Sequence, residues 1–441
     1  MGIRRVDSRL YDAEMRERQP LWTSSRRWSR NARRSSRRSE ASRIGVLFVH
    51  TATQPPLGAD TWVQSQIIAG LDKTRVDVHV ACAFGPPAAP TPTFRAVQGI
   101  PDVHLFPVDF GRERSSAAAQ GRWRGLMTTL PSLPSFIRLI RETRRQQISV
   151  VHTTDRPRDA LASVIVARLT GSQCIIHAHV AFNPAWMSRM LQWAMKRADA
   201  LIAISHFVAS TLVDAGLDAG RVHVVHNGID ISGWTPGHGR DEARRELDVA
   251  PDIQIVLTVC RLFPAKGTTE LLRCFASATA ERPNVRLVVV GREMTPGYAA
   301  ELAALAVELG VAEHVMFMGQ RSDVPRLMAA ADIYAMPSMY EPFGLVYLEA
   351  MAMELPVIAL NNGGTPEVVE HSLHGLLSEP GNLDQLNAHL TILLDDPDRC
   401  RMMGRRGRQR AESQFSVAEM ARSTEAVYRL LASSSEGDAK R

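Results

Sequence analysis

Three short segments of this 441-residue chain combine residue types that could do chemistry. The first is CRLFPAKG (260–267), where an apolar run ends and a helical one begins. Arg261 and Lys266 stand five apart across a proline-containing turn. Two cations and a positive helix N-terminus can then converge on one anion, and a diphosphate suits them. The plainer reading is a solvated strand-to-helix loop; the spacing is not that of the G-x-x-x-x-G-K-[ST] phosphate loop. The second is PSMYEPFGLVYLEAMA (337–352), with Glu341 in a loop and Glu349 eight positions on, inside a helix. Carboxylates so placed can accept hydrogen bonds from sugar hydroxyls. The plainer readings are a carboxylate favouring a helix N-terminus and a helix-surface charge. Leu348, Ala350 and Met351 are apolar, however, and a Glu buried among them needs a partner. The third is NNGGTPEVV (361–369), where Gly363 and Gly364 allow close backbone approach and Thr365-Pro366-Glu367 starts a helix.

The elements that must hold these segments follow from the hydrophobic pattern. IGVLFVH (44–50), DVHVACAF (77–84), DVHLFPV (102–108), SVVHTT (149–154), QCIIHAH (173–179), ALIAIS (200–205) and VHVVHN (222–227) read as strands. Helices are expected at 60–71, 158–169 and 184–197, with helical pieces and proline breaks over 122–147. GIDISGWTPGHG (228–239) is rich in glycine and reads as an interdomain linker. The alternation then restarts with IVLTVC (255–260), RLVVVG (286–291), HVMFMG (314–319), IYAMP (333–337), PVIAL (356–360) and HGLLS (374–378). From 382 onward the chain reads as almost all helical. Continuous apolar strands alternating with amphipathic helices predict an α/β fold with two doubly wound domains. Ligand sites then belong at the C-terminal strand ends.

Composition narrows the function. Residues 1–43 hold 13 Arg and 5 acidic residues, a net +8, so a total of +6 leaves the rest of the chain at −2. The basic balance is therefore confined to the tail and does not point to nucleic acid. That Arg/Ser-rich tail is expected to be disordered. It reads as a dispensable extension or as an electrostatic tether to anionic lipid. It lacks the apolar core of a secretory signal. No apolar run reaches the ~18 residues of a membrane span. The five cysteines (82, 174, 260, 274, 400) are scattered, which fits a reducing cytosol rather than a disulfide or zinc framework.

Taken together, the three segments resemble the donor-binding half of glycosyltransferase family 4. The resemblance rests on Arg261, Lys266-Gly267, Pro337-Ser338, Glu341, Phe343-Gly344, Glu349-Ala350-Met351-Ala352, Pro356-Val357, Gly363-Gly364 and Pro366-Glu367. It is clear over roughly 255–380, and HNGID (226–230) resembles the family's interdomain junction. It implies a GT-B fold, two Rossmann-like domains facing each other across a cleft. The implied layout is an acceptor domain over 44–230, a donor domain over 240–412 and a helix over 413–432 crossing back to the first domain. By the same resemblance Arg261 and Lys266 would neutralise the donor diphosphate and Glu349 would bind the ribose. Glu341 would hold hydroxyls of the transferred sugar, and Phe343, Gly344, Leu345, Gly363 and Gly364 would supply donor-sugar and backbone contacts.

In the first domain the family carries a Gly-Gly loop; here Gly58 matches and Ala59 replaces the second glycine. His179 falls where the family often has a histidine near the reacting sugar, although His177, two residues earlier, shares its strand face. A satisfied strand-end histidine is the plainer reading of His179. Asp155 is a weaker candidate, and Cys260 reads as packing. The resemblance implies a retaining transfer from a nucleotide-diphosphate sugar to a hydroxyl acceptor, in glycoconjugate or polysaccharide biosynthesis, with no metal required. The alternatives are a catalytically silent sugar-nucleotide-binding partner and a GT-B epimerase. Segment 121–145, rich in Arg with an apolar set, fits either an inward-packed amphipathic helix or an anionic membrane surface serving a lipid-linked acceptor. The expected location is the cytoplasm, free or on the inner face of the membrane.

Overall fold

The computed structural model describes residues 43–52, 58–85, 89–110, 133–185, 187–280 and 282–438. Residues 1–42 of the expected disordered tail and all of 111–132 lie outside them, so of the segment 121–145 only 133–145 is described.

The first half carries strands β1 (Ile44–His50), β2 (Val76–Gly85), β3 (Ala89–Pro90), β4 (Val103–Val108), β5 (Val150–Thr154), β6 (Gln173–Ala178), β7 (Ala200–Ala203) and β8 (Val222–Val224). They are ordered β4-β2-β1-β5-β6-β7-β8, all parallel, with β3 antiparallel to the end of β2. The second half carries β9 (Gln254–Val259), β10 (Val285–Val290), β11 (Val315–Gly319), β12 (Ile333–Ala335), β13 (Val357–Leu360) and β14 (Gly375–Ser378), parallel and ordered β11-β10-β9-β12-β13-β14. Each sheet thus reverses direction once, between β1 and β5 and between β9 and β12. Loops leaving the strands on either side of such a reversal diverge and open a crevice. The fold is α/β, a two-domain Rossmann-like GT-B architecture. Strands such as Val46 to Val49 are fully buried because helices cover both sheet faces, which is why they read as unbroken apolar runs.

The helices are α1 (Ala59–Gly70), α2 (Pro92–Val97), α3 (Leu133–Arg145), α4 (Pro157–Thr170), α5 (Arg189–Arg197), α6 (His206–Asp214), α7 (Arg240–Glu246), α8 (Thr268–Thr279), α9 (Tyr298–Glu308), α10 (Val324–Ala330), α11 (Leu345–Ala352), α12 (Thr365–Val368), α13 (Leu383–Asp395), α14 (Pro397–Gln414) and α15 (Val417–Asp438). Two boundaries differ from expectation because side chains cap backbone N–H groups. Helix α5 begins only after Ser188, whose hydroxyl accepts from Leu191 N at 3.2 Å. Strand β7 stops at Ala203 because Ser205 already caps α6 through Val208 N at 3.0 Å. Helix α2 was not anticipated, although Thr91 followed by Pro92 is a helix-start signal.

The expected helix over 413–432 is instead split between the end of α14 and the start of α15. At the break, Phe415 O accepts from Ile229 N at 2.9 Å and Val417 N donates to Ile229 O at 3.2 Å. The two stretches joining the halves are therefore paired to each other. Beyond this point α15 packs on α1, and Tyr428 Oη meets His152 Nδ1 of β5 at 2.6 Å.

Candidate functional site

The loops at the two sheet reversals face each other across a cleft of about 680 Å³. One wall holds Gly58, Asp60, Asp155, Arg156 and His179, leaving β1, β5 and β6. The other holds Arg261, Lys266, Arg292, Glu341 and the segment 342–346, leaving β9, β10 and β12.

The second wall is assembled by backbone. After β9 the chain turns tightly through Pro264–Lys266 and enters α8 through Gly267, at φ +73°. A Cβ there would lie 2.0 Å from Pro337 O, so glycine is required both by conformation and by the close approach. Met339 N donates to Ala265 O at 2.8 Å and laces the post-β9 turn to the post-β12 loop. This brings Lys266 Nζ within 2.6 Å of Glu341 Oε2, with both side chains largely buried. Arg261 remains exposed in the cleft, its guanidinium 5.6 Å from the Phe263 ring centre. Helix α11 opens beside them after Gly344, at φ +100°. Its first amides lack intrahelical acceptors, an arrangement that can receive an anion. Phe343, Gly344 and Leu345 line the cleft.

Glu349 lies one turn into α11, on the stripe of Leu345 and Val346. It is half-buried, and among the described residues no protein hydrogen bond reaches its carboxylate. Burial pushes that carboxyl up to about 7. Gly363 and Gly364 do not line the cleft. A Cβ on Gly363 would meet Glu341 O at 2.4 Å, and one on Gly364 would meet Pro342 O at 2.2 Å. Gly364 N also donates to Glu341 O at 2.9 Å. The space these glycines leave is filled by the Glu341–Pro342 backbone, so they hold that loop rather than face the cleft.

On the first wall, Arg156 forms a bidentate pair with Asp60, at 2.5 and 2.9 Å. Gly58 makes room for it: a Cβ there would lie 2.2 Å from Arg156 Nη2. Asp155 accepts from His179 N at 2.9 Å and Val180 N at 3.3 Å, and burial raises its carboxyl to about 7. Of the two candidate histidines, His179 lines the cleft and His177 is fully buried beneath it, with ring centres 4.4 Å apart. Burial lowers His179 to about 4, so the imidazole is neutral near pH 7. Cys260 lines the cleft floor, and burial raises its thiol.

Arg156, Asp60 and Arg292 were not singled out from the sequence as site residues. Arg156 stands two residues past the end of β5, the strand that flanks the first sheet's reversal, and that position was the available signal. Asp60 read only as a helix start, and nothing local marks Arg292.

Two family models match the chain. Glycosyltransferase Family 4 matches residues 62–232 and Glycosyl transferases group 1 matches residues 239–410. The chain is 36% identical over 260 residues to the alpha-maltose-1-phosphate synthase of Mycolicibacterium smegmatis, covering 56% of this chain and 66% of that protein. It is 38% identical over 210 residues to the D-inositol 3-phosphate glycosyltransferase of Segniliparus rotundus, covering 45% and 46%. The matched stretches thus span between about half and just under two thirds of these relatives. Among solved structures, Anabaena HepE in complex with UDP superposes with a TM-score of 0.70 at 24% identity, over 88% of this chain and 100% of that one. The sucrose-phosphate synthase of Thermosynechococcus elongatus superposes at 0.66 and 23%, over 89% and 100%. These likenesses speak for the fold.

Proposed function

From the premise that this chain belongs to glycosyltransferase family 4, with its GT-B fold, we propose that the cleft moves a sugar from a nucleotide-diphosphate sugar to a hydroxyl acceptor, with retention at the anomeric carbon. The observation that carries this reading is that Arg261, Lys266, Glu341 and the start of α11 line one wall of the cleft, with His179 on the wall opposite. In this reading the donor diphosphate sits against Arg261, Lys266 and the first amides of α11. These charges are in place before reaction, so they stabilise the departing phosphate without reorganising. Glu341 holds hydroxyls of the transferred sugar, and Glu349 takes the ribose.

The bond from the anomeric carbon to the phosphate oxygen breaks as the acceptor oxygen bonds on the same face. The acceptor proton goes to the leaving phosphate oxygen, so the step needs no metal. Two of the cleft carboxylates favour this front-face course, since Asp60 is paired with Arg156 and Asp155 accepts from two backbone amides. The acceptor meets the wall of Gly58, Asp155, Arg156 and His179. The first two relatives are named for a maltose phosphate and an inositol phosphate. Arg156 is the cation on this wall that a phosphate on the acceptor would meet.

A lipid-linked acceptor has separate support. Leu133 and Ile137 of α3, Leu169 of α4 and Trp193 of α5 are all exposed. The ends of these helices are joined by Arg144 to Leu169 O and by Arg168 Nη2 to Arg197 O at 3.1 Å. Apolar and basic groups side by side suit an anionic membrane face, such as the inner face of the cytoplasmic membrane. Among the described residues no helix is long and apolar enough to cross a membrane.

The test is a thermal-shift panel of UDP, GDP, ADP and their sugar conjugates, followed by turnover with the donor that binds. A ligand at about 100 times its Kd should add ~2.7 kcal/mol of stability. A response to one base that disappears in the Arg261→Ala, Lys266→Ala double variant supports the donor site. No response from folded protein overturns it. Donor binding without turnover for any acceptor favours the silent-partner reading.

A further inference from the structure

Behind the Glu341 loop, and outside the cleft lining, the two halves of the chain meet at Glu367 of α12. Its carboxylate reaches across to the first half. It accepts from His206 N at 2.8 Å and Phe207 N at 2.9 Å, the opening amides of α6. It also lies 2.9 Å from His226 Nε2. Next to it, Ser205 Oγ donates to Pro342 O at 2.7 Å, and the His226 ring stacks on Phe343 at 5.8 Å. The junction therefore buttresses the wall that carries Glu341.

The His206 side chain makes no hydrogen bond here among the described residues; its ring meets the His226 ring edge-on at 5.7 Å. Glu367 uses only its backbone N–H, and the imidazole is exposed. Yet one ring nitrogen of His206, one of His226 and one Glu367 oxygen all lie within 4.8 Å of one another.

We infer that His206, His226 and Glu367 form a binding site for a first-row divalent metal ion of zinc type, with ligands from both halves of the chain. Two imidazoles and one carboxylate are a donor set that zinc takes, with water completing a tetrahedron. Zinc binds nitrogen and oxygen at about 2.0–2.2 Å, so two ligand atoms at a tetrahedral angle stand roughly 3.3 Å apart. The His226–Glu367 separation has to open by only a few tenths of an ångström. His206 reaches the ion by rotating an exposed side chain. On binding, the Nε2 proton of His226 moves to Nδ1 or to solvent, and the metal takes its place beside Glu367. Imidazole selects zinc, nickel and copper over magnesium and calcium. The ion is not a participant in sugar transfer. It fixes the two halves at this junction, and the inference stands whether or not the proposed donor site is correct.

The experiment is calorimetric titration of the full chain with ZnCl2, with hydrogen exchange of the amides at 205–208 as a second readout. The wild type should bind one ion here and slow exchange at 205–208. His206→Gln should lose at least tenfold in zinc affinity and the exchange effect, while its metal-free melting temperature and its response to nucleotides stay unchanged. A second chelating cluster, Asp77, His79 and His104, lies on β2 and β4. Zinc binding that survives His206→Gln and disappears in His104→Gln would put the ion there and overturn the assignment. So would a wild type that binds no zinc, or one whose exchange at 205–208 is unchanged by it.

Discussion

Lys266 Nζ stands 2.6 Å from Glu341 Oε2, and this pair joins the turn after β9 to the loop after β12 across the second sheet's reversal. Both groups were expected to face a donor, and they face each other. A bound diphosphate would share Lys266 and leave Glu341 free for sugar hydroxyls. Lys266→Ala should therefore lower kcat by about 10²–10³-fold, the usual loss for one preorganised donor at a developing charge. Glu341→Ala should lower kcat while nucleotide affinity falls only modestly. Calorimetric donor affinity measured beside turnover separates the two. Equal losses in both quantities for Glu341→Ala would count against its role at the sugar.

Glu349 carries a pH signature. Burial raises its carboxyl from the ordinary Glu range to about 7, so the folded protein binds this proton more tightly than the unfolded chain does. Native stability should then fall as pH rises between about 4.5 and 7, because the charged form is the disfavoured one. Glu349→Gln should remove that part of the pH dependence and be more stable than wild type above pH 7. If ribose hydroxyls bind the carboxylate, donor affinity in wild type should rise with pH up to about 7 and then level. The Gln variant should bind donor weakly at every pH. Urea unfolding and donor titration across pH 5–8 check both halves.

Gly58→Ala should act on Arg156. The new methyl would lie where the Arg156 guanidinium now pairs with Asp60, and those side-chain ends must move. Misplacement by about 1 Å can cost on the order of 10²-fold in rate. The expected result is a raised KM for acceptor, a lower kcat and an unchanged donor affinity. Steady-state kinetics with each substrate varied in turn would show it, and a loss confined to donor affinity would contradict the placement of the acceptor on this wall.

The exposed face of α3, α4 and α5 predicts lipid binding. Sedimentation with vesicles of phosphatidylglycerol and phosphatidylcholine should pull down the protein, and pure phosphatidylcholine should not. Each basic group near such a surface contributes ~1 kcal/mol. Arg138→Glu with Arg141→Glu should cut binding by an order of magnitude or more. Trp193→Ala should weaken it less. Removing residues 1–43 should leave part of the binding; a complete loss would give the whole effect to the tail.

Much of this was legible in the sequence because it is local. Unbroken apolar runs such as those of β1 and β9 require burial on both faces, and a parallel sheet between helix layers provides it. Glycines such as Gly267 and Gly344 mark the loops because each combines a positive φ with a neighbour that leaves no space for a Cβ. Of the charged residues singled out in these segments, Arg261, Lys266 and Glu341 line one cleft, whereas Glu349, one turn into α11, is not among its lining residues.

What the chain order could not settle was who faces whom. His177 and His179 share a strand face, and only burial depth puts His179 in the cleft. Gly363 and Gly364 looked open to a ligand, yet the Glu341–Pro342 backbone, about twenty residues away in sequence, fills their space. Arg156 acquires its place from Asp60, almost a hundred residues earlier, and Glu367 from amides of α6 in the other half. Such contacts depend on how loops from separate strands meet at a sheet reversal. Hydrophobic periodicity sets the strands and helices, but it carries no information on the pairing of polar side chains between them.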